Sequence, residues 1–508
     1  MPLEAVPQIC VPVCESNLSA MKQAATRARD VADLVELRLD CLAANELNGR
    51  EFHQFLTSFD HPLVLTLRPR DQGGSASFDL RYRSDFFSRM AGGAFLDIEF
   101  DLVRLFMRTD DCKLDWKQVI CSHHDFRKVP ADLVQIYERM AATPARFVKI
   151  AVRAADVVDC LPVFKLLERA KKDGRQMIAI AMGSAGVTTR ILGPSRGSFL
   201  TYGTLKDRSA TAPGQIPASS LKQLYRIDRI DAETIITGLV GNPVSHSVSP
   251  HIHNAAFADT GLNGIFLPFE VHDVEAFLRR MVKPASREID WPLRGLSVTA
   301  PHKSVVMELL DSVDSAAREI GAVNTIVVKE SGLHGCNTDA PAFIHVLQEK
   351  VGDLNGMNCA VIGAGGAARA ALWGLKAQNA SVTVFARNVQ KASSVADYFK
   401  ANVQSLNRSR LSDFDVVVNA TPLGTSGTLV EESPVDAGQL RGARLAYDLV
   451  YNPSETRFLR EARSAGCETL GGLSMLVNQA AEQFKLWTGL AAPLESMQTA
   501  AAKALTDA

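Results

Sequence analysis

Eight short apolar segments recur along the first 220 residues, and no other feature of the chain narrows its fold so far. They are "QICVPV", "LVELRLD", "PLVLTLR", "AFLDIEF", "KQVICS", "RFVKIAV", "MIAIAMG" and "SFLTYG", beginning near residues 8, 34, 62, 94, 117, 146, 177 and 198. Most intervals between them are 20 to 32 residues, room for a crossover helix. The intervening stretches carry helical periodicity, as in "ADLVQIYERM" and "CLPVFKLLERAKKDG", the latter closing on lysines with Gly174 at a C-cap position. Eight strand-helix units specify an α/β fold, a (β/α)8 TIM barrel, in which chemistry sits at the C-terminal ends of the strands.

At 508 residues the chain exceeds one ordinary core and is expected to form about three domains. With 55 basic and 56 acidic residues it gives no electrostatic reason to expect a nucleic acid or a membrane surface as partner, so its substrates are expected to be small molecules. The longest apolar stretch, "GAFLDIEFDLVRLFM", is broken by acids and Arg104, and the N-terminus is unlike a signal peptide, which points to a cytoplasmic protein. Nine cysteines lie scattered without CxxC pairs or histidines at metal spacing, and are read as reduced structural thiols with no metal. The oligomeric state is left open.

Charged and polar residues gather where a barrel keeps its chemistry. Glu36 and Arg38 lie on the second strand, Arg68 ends the third, and Glu99 and Asp101 end the fourth. His124 follows the fifth, Lys149 sits in the sixth, Arg190 follows the seventh, and Thr211 and Gln215 of "TAPGQI" follow the eighth. Each alone has a structural reading, because Arg-Glu pairs brace many barrel mouths; together they describe a site for an anionic, hydroxylated substrate.

Lys149 is the sharpest of these. Alternation puts Phe147, Lys149 and Ala151 on one face, which in a small barrel points into the packed interior. An ammonium there is costly unless paired, and desolvation favours the neutral amine that attacks a ketone. The competing reading is a structural lysine paired with Glu36 or Glu99. His124 adds an imidazole able to move a proton both ways, so an iminium at a β-hydroxy ketone, followed by proton transfer, would eliminate water. His123 is expected to point elsewhere.

In "VELRLD", "TLRP…GG", "SHHDF", "FVKIAV", "MGSAGVTTRILGPSRGSFLTYG" and "TAPGQI", over about residues 5 to 220, the segment resembles the type I 3-dehydroquinate dehydratases. The resemblance implies that Lys149 forms the imine, His124 is the general acid/base and Glu36 orients it. It further implies that Arg38, Arg68, Arg190, Thr211 and Gln215 grip the substrate. Gln72 stands where that family often has Glu before the Gly pair, and Thr211 where Ser is usual.

The pattern changes at about residues 226 to 233. Beyond it, "NCAVIGAGGAARAALWGLKAQNASVTVFARN" reads strand, glycine turn, helix, strand. Gly363, Gly365 and Ala368 give GxGxxA, a turn in which the backbone of Gly363, Ala364, Gly365, Gly366 and Ala367 can meet a pyrophosphate at a helix N-terminus. Arg387, with Lys391 one turn on, stands where an NAD site usually carries an acid, so NADP (NADPH) is the expected cofactor. Upstream, "GNPVSHSVSPHIHN" supplies Ser247 and Ser249, "LSVTAPHK" Thr299 and Lys303, "IGAVNT" Asn324 and "GCNTDA" Asp339. Each singly reads as a cap or turn residue, Asn324 most of all.

In this order, with "VVNATPLGT", "YDLVYNP" and "GLSMLVNQAAEQF", the motifs resemble shikimate dehydrogenase over about residues 235 to 508. The resemblance implies that Ser247, Ser249, Thr299, Asn324, Asp339 and Gln479 bind substrate while Lys303 and Asp339 handle the proton. By the same likeness Asn419 and Thr421 line the nicotinamide side, and Tyr451 lines the cleft. Ser297 and Ala386 stand where Asn is frequent.

The expected domains are a dehydratase barrel (1–226), a substrate-binding domain (234–340, completed by helices in 472–508) and a Rossmann domain (341–471). The implied reactions are consecutive, dehydration of 3-dehydroquinate and reduction of 3-dehydroshikimate to shikimate. Alternatives are another Schiff-base lyase or aldolase fused to an NAD-dependent quinate dehydrogenase, and a retired enzyme serving as a binding protein. Retention of Lys149, His124, Lys303 and Asp339 together argues against the last.

Overall fold

The computed structural model describes residues 7–47, 49–90, 93–109, 114–205, 211–407 and 409–506. The chain divides into two compact units, one running to Thr234 and the other from Ile235 onward, apart from the short segments Phe269–Asp273 and Glu288–Trp291 that cluster with the first.

The first unit carries β1 (Gln8–Val13), β2 (Leu34–Arg38), β3 (Leu63–Thr66), β4 (Phe95–Glu99), β5 (Val119–Asp125), β6 (Phe147–Arg153), β7 (Gln176–Met182) and β8 (Leu200–Tyr202). They pair in parallel in the order β7-β6-β5-β4-β3-β2-β1-β8. A parallel bridge between Met177 and Ser198, with Phe199 N donating to Met177 O at 2.7 Å, closes the ring. The interior is packed with Cys10, Leu34, Val64, Ile120, Phe147, Ala151, Ile178 and Ile180, a filled core rather than a pore. Phe147 and Ala151 thus turn inward, and alternation carries Lys149 with them. After helix Cys160–Lys172, Gly174 takes φ +65° and Arg175 N donates back to Ala170 O at 2.9 Å, the left-handed stop that glycine allows.

One expectation about the cysteines fails. Cys14, just past β1, and Cys41, just past β2, form a disulfide with Cα atoms 5.5 Å apart. β1 and β2 are neighbours in register, with Val13 beside Leu37, so residues 27 apart in sequence meet at the barrel mouth. Cys10, Cys121, Cys160, Cys336, Cys359 and Cys467 are buried free thiols, and Cys112 lies outside the described residues.

The second unit has two six-stranded sheets. β9 (Ile235–Gly241), β10 (Gly264–Glu270), β11 (Leu293–Val298), β12 (Ser312–Val313), β13 (Thr325–Lys329) and β14 (Gly332–Cys336) form a mixed sheet in the order β10-β9-β11-β13-β14-β12. Helices Ser249–Asp259, Leu473–Thr488 and Leu494–Thr506 share one core with it through Ile252, Phe257, Phe484, Trp487 and Met497. The last two helices therefore return from the end of the chain to cover this sheet. Contact is close enough that a Cβ at Gly295 would lie 2.0 Å from Trp487 Nε1.

β15 (Asn358–Ile362), β16 (Ser381–Ala386), β17 (Asn402–Ser405), β18 (Val416–Asn419), β19 (Leu445–Asp448) and β20 (Glu468–Leu470) form an all-parallel sheet in the order β17-β16-β15-β18-β19-β20. This is a doubly wound dinucleotide-binding topology, and its crevice opens at the ends of β15 and β18, where strand order reverses.

Candidate active sites

Glu36, Arg38, Arg68, His124, Lys149, Arg190, Thr211 and Gln215, all expected from sequence, line one cavity with Gln72, Phe126, Met182 and Tyr202. The Lys149 ammonium lies 2.8 Å from Asp97 Oδ2, 2.7 Å from Tyr202 Oη and 3.7 Å from Glu36 Oε1. Its carboxylate neighbours are thus Asp97 and Glu36 rather than Glu99. Arg68 also reaches Asp97 Oδ2 (2.7 Å), as well as Glu99 Oε1 (3.1 Å) and Ser122 Oγ (2.8 Å). Burial alone would push the Asp97 carboxyl up, but Arg68, then Lys149, hold it well below the usual carboxylate range. Burial raises the Glu99 carboxyl against the pull of Arg68 and Arg83.

His124 differs from expectation in its partners. Glu36 accepts from Thr66 Oγ1 at 2.6 Å, and no hydrogen bond among the described residues joins it to His124, whose Nδ1 is buried without a partner. Glu36 lies on β2 with its Oε1 facing Lys149. Gln72 takes part instead, its Oε1 accepting from the His124 backbone N–H at 3.2 Å, a contact that needs no charge. Gly73 stands at φ +85°, and a Cβ there would come within 2.3 Å of Phe126, whose ring lies parallel to His124. Burial, then the positive charges of Arg68 and Lys149, keep the imidazole pKa well below 6.5 and the ring neutral.

Two of the three expected arginine anchors already have carboxylates. Arg38 is held by both oxygens of Asp40 at 2.9 and 2.8 Å, and Asp40 also accepts from Ser75 N at 2.8 Å. Arg190 is 1 % exposed and, among the described residues, donates only to carbonyls, Pro213 O at 3.2 Å and Tyr202 O at 3.5 Å, with Nε buried and without a partner. Burial pushes its guanidinium down to about 10. It is poised for an anion. Gln215 Oε1 gathers the N–H groups of Thr211 (2.8 Å) and Ala212 (3.3 Å), shaping the rim over the cavity. Asp101 faces solvent on the turn of helix that follows β4, and neither it nor His123 lines the cavity.

Asp97 and Tyr202 escaped the sequence reading. Alternation contained the signal, since Asp97 shares a strand face with Glu99, and Tyr202 shares one with the buried Leu200.

In the second unit, Lys303 Nζ lies 2.5 Å from Asp339 Oδ2. Asp339 opens helix Asp339–Val351, where the dipole favours its charge, and Asn324 Nδ2 donates to its other oxygen at 2.8 Å. Asn324, 1 % exposed, is a hub rather than a simple turn residue. It also bonds Thr338 Oγ1 (2.9 Å) and Gln479 Oε1 (3.4 Å), and accepts from Thr325 Oγ1 (2.8 Å). Gln483 donates to Ser297 Oγ at 3.2 Å and Thr325 Oγ1 at 3.0 Å, tying the C-terminal helix to the same cluster. Ser247 donates to Ser249 Oγ at 3.0 Å, and Tyr451, its phenol raised by burial, bonds Ser247. Thr299 follows β11 directly, its N–H on Val240 O at 2.9 Å.

The glycine turn fits a dinucleotide. Gly363 at φ +116° follows β15, and a Cβ there would stand 3.1 Å from Ala420 O. A Cβ at Gly365 would meet nothing within 4 Å, leaving open space before helix Gly366–Ala377. Lys303 Cδ lies 3.2 Å from where a Cβ of Gly366 would stand, so amine and turn are adjacent. Arg387 and Lys391 are exposed beyond β16 and make no ion pair among the described residues, as a 2′-phosphate site requires. Asn419 differs from expectation: fully buried, it spends its amide on Asp448 Oδ1 (2.9 Å) and accepts from Thr421 Oγ1 (2.7 Å), so it holds the loop.

Fold and site define a (β/α)8 barrel with a buried lysine in its cavity, joined to a two-sheet dinucleotide-dependent dehydrogenase. Family models agree: Type I 3-dehydroquinase matches residues 9–232, Shikimate dehydrogenase substrate binding domain 239–326, Shikimate / quinate 5-dehydrogenase 345–449 and Shikimate 5'-dehydrogenase C-terminal domain 472–501. The chain is 35% identical over 513 residues to the chloroplastic bifunctional 3-dehydroquinate dehydratase/shikimate dehydrogenase of Arabidopsis thaliana, covering 96% of this chain and 83% of that one. It is 41% identical over 283 residues to shikimate dehydrogenase (NADP(+)) of Methanopyrus kandleri, covering 53% of this chain and 96% of the relative. A crystal structure of shikimate dehydrogenase in complex with NADP+ aligns at TM-score 0.50 and 35% identity over 54% of this chain and 97% of that one. The chain belongs to the bifunctional 3-dehydroquinate dehydratase/shikimate dehydrogenase family.

Proposed function

We propose that this chain dehydrates 3-dehydroquinate to 3-dehydroshikimate on Lys149 and His124, then reduces that ketone to shikimate with NADPH beside Lys303 and Asp339. The observation that carries the reading is Lys149, buried among the strands with Asp97, Tyr202 and His124 around one cavity.

In the first site, Lys149 Nζ condenses with the substrate ketone and gives an iminium. His124, neutral as its environment keeps it, takes a proton from the carbon beside the iminium. It returns that proton to the β-hydroxyl, which leaves as water while the double bond forms, and a second water hydrolyses the imine. Arg190 supplies the counter-charge for the substrate carboxylate, and Thr211 and Gln215 face its hydroxyls.

In the second site, Gly363 to Ala367 would hold the NADPH diphosphate and Arg387 with Lys391 its 2′-phosphate. When bound, NADPH supplies the hydride. Lys303 gives a proton to the oxygen of the ketone, and Asp339, fixed by Asn324, keeps the amine oriented. Ser247, Ser249, Thr299 and Gln479 are assigned to substrate hydroxyls and carboxylate, with Tyr451 beside Ser247. Three domains are proposed, 1–226, 234–340 with 472–508, and 341–471.

Among the described residues, no helix is long and apolar enough to cross a membrane, and no cluster of His, Cys, Asp and Glu is arranged for a metal. A cytoplasmic setting, small-molecule substrates and no nucleic-acid partner complete the reading, the last two supported by a net charge of −1.

Assaying both half-reactions separates the sites. Lys149→Ala should lose dehydration by several orders of magnitude and keep NADPH-dependent reduction of 3-dehydroshikimate, and Lys303→Ala the reverse. Loss of both activities in either variant, or reduction of quinate-derived ketones with NADH in preference to NADPH, would count against the assignment.

A further inference from the structure

Building an imine from an ammonium and a ketone moves hydrogens as well as forming a bond. Of the three N–H hydrogens of Lys149, one remains on the iminium nitrogen and two depart with the carbonyl oxygen as water. The step therefore needs a group that touches Nζ, reaches the oxygen on the newly bonded carbon, and can take one proton while giving another.

Around Nζ the candidates are few. Asp97 lies 2.8 Å away, but Arg68 shares the same oxygen and the pair of cations holds its charge, which suits it to keep the last N–H rather than to carry protons. Glu36 stands farther off, 3.7 Å from Nζ, and the oxygen nearest Nζ accepts from Thr66. His124 makes no hydrogen bond to Nζ among the described residues, and its assigned work is at carbon. Tyr202 remains. Its Oη lies 2.7 Å from Nζ, and Nζ stands 4.2 Å from the ring centroid, so the amine is held over the hydroxyl end of the ring. The side chain is 3 % exposed, lines the cavity, and as acceptor from Lys149 keeps its own hydrogen free to point toward substrate.

We propose that Tyr202 is a further catalytic residue of the dehydratase, a proton relay for imine formation on Lys149. The relay turns twice: each time its oxygen accepts a proton from Nζ while its own O–H hydrogen passes to the oxygen on the carbon bonded to Nζ, first making that oxygen a hydroxyl and then making it water. The C–O bond then breaks, water leaves, and the phenol ends as it began. Hydrolysis of the product imine runs the same relay backward. Burial raises the phenol well above 10, so no phenolate persists and concerted exchange is the route open to it. This inference rests on Lys149 as the nucleophile.

The test uses the full chain and Tyr202→Phe, which keeps the ring against Lys149 and removes only the hydroxyl. Protein is mixed with 3-dehydroquinate, quenched with borohydride at successive times, and the modified lysine is identified by peptide mass. Imine formation should slow at least about tenfold, with kcat falling alike and KM changing less than about twofold, while reduction of 3-dehydroshikimate is unchanged. Wild-type imine formation should also slow in deuterium oxide, and that dependence should shrink in the variant. Trapping in Tyr202→Phe at the wild-type rate would overturn the relay, as would absence of a solvent isotope effect on this step in wild type. Trapping of wild type at a lysine other than 149 would instead overturn the nucleophile assignment, whatever the variant does.

Discussion

Arg190 differs from the other guanidiniums at the barrel mouth. Arg38 leans on Asp40, Arg68 on Asp97 and Glu99, and Arg83 on Glu99 at 2.6 Å, whereas among the described residues Arg190 has only carbonyl oxygens beside it. A buried cation without an anion is costly, and an arriving carboxylate removes that cost, so substrate charge is read chiefly here. Arg190→Gln should raise the KM for 3-dehydroquinate about 10- to 100-fold with a smaller effect on kcat, measurable by enone absorbance. His124 sets the pH dependence. Protonation removes the base, and because its pKa sits well below 6.5, kcat/KM for dehydration should stay flat down through pH 6.5 and fall only below it. The same imidazole, neutral in the fold and free to protonate when unfolded, costs stability as pH falls below 6.5. At this scale the sequence was readable wherever a residue type names its chemistry, as with Lys149 and His124. It was silent where the role depends on who stands opposite: Asp97 and Tyr202 matter because β4 and β8 bring them to β6 across the barrel.

The strands were the most legible elements, since apolar runs at crossover spacing leave few arrangements, and each of the eight begins within two residues of its expected place. The Cys14–Cys41 crosslink was illegible for the opposite reason. A separation of 27 residues acquires meaning only once β1 and β2 are adjacent and in register. Closing a loop of that length restricts the unfolded chain and should contribute about 3 kcal/mol. Calorimetry with and without reductant should therefore show the barrel transition falling by about 6 to 12 °C on reduction, with Cys14→Ser behaving like the reduced protein. The transition of the dehydrogenase unit should not move. Asn324 belongs to the same lesson, because its partners at 338, 339 and 479 come from a strand exit and a helix near the end of the chain.

Every residue proposed for dehydration lies within the first unit and every residue proposed for reduction within the second. Mixing Lys149→Ala with Lys303→Ala should consequently convert 3-dehydroquinate and NADPH to shikimate, after a lag set by how fast free 3-dehydroshikimate accumulates. A mixture that stays inactive would show that the halves must act on one another. Within the dehydrogenase, the contact of the Lys303 stem with Gly366 binds two tasks to one point on the backbone. A methyl group added at 366 would press on that stem by a few tenths of an ångström, so a change of the nucleotide turn at this glycine is felt by the proton donor as well.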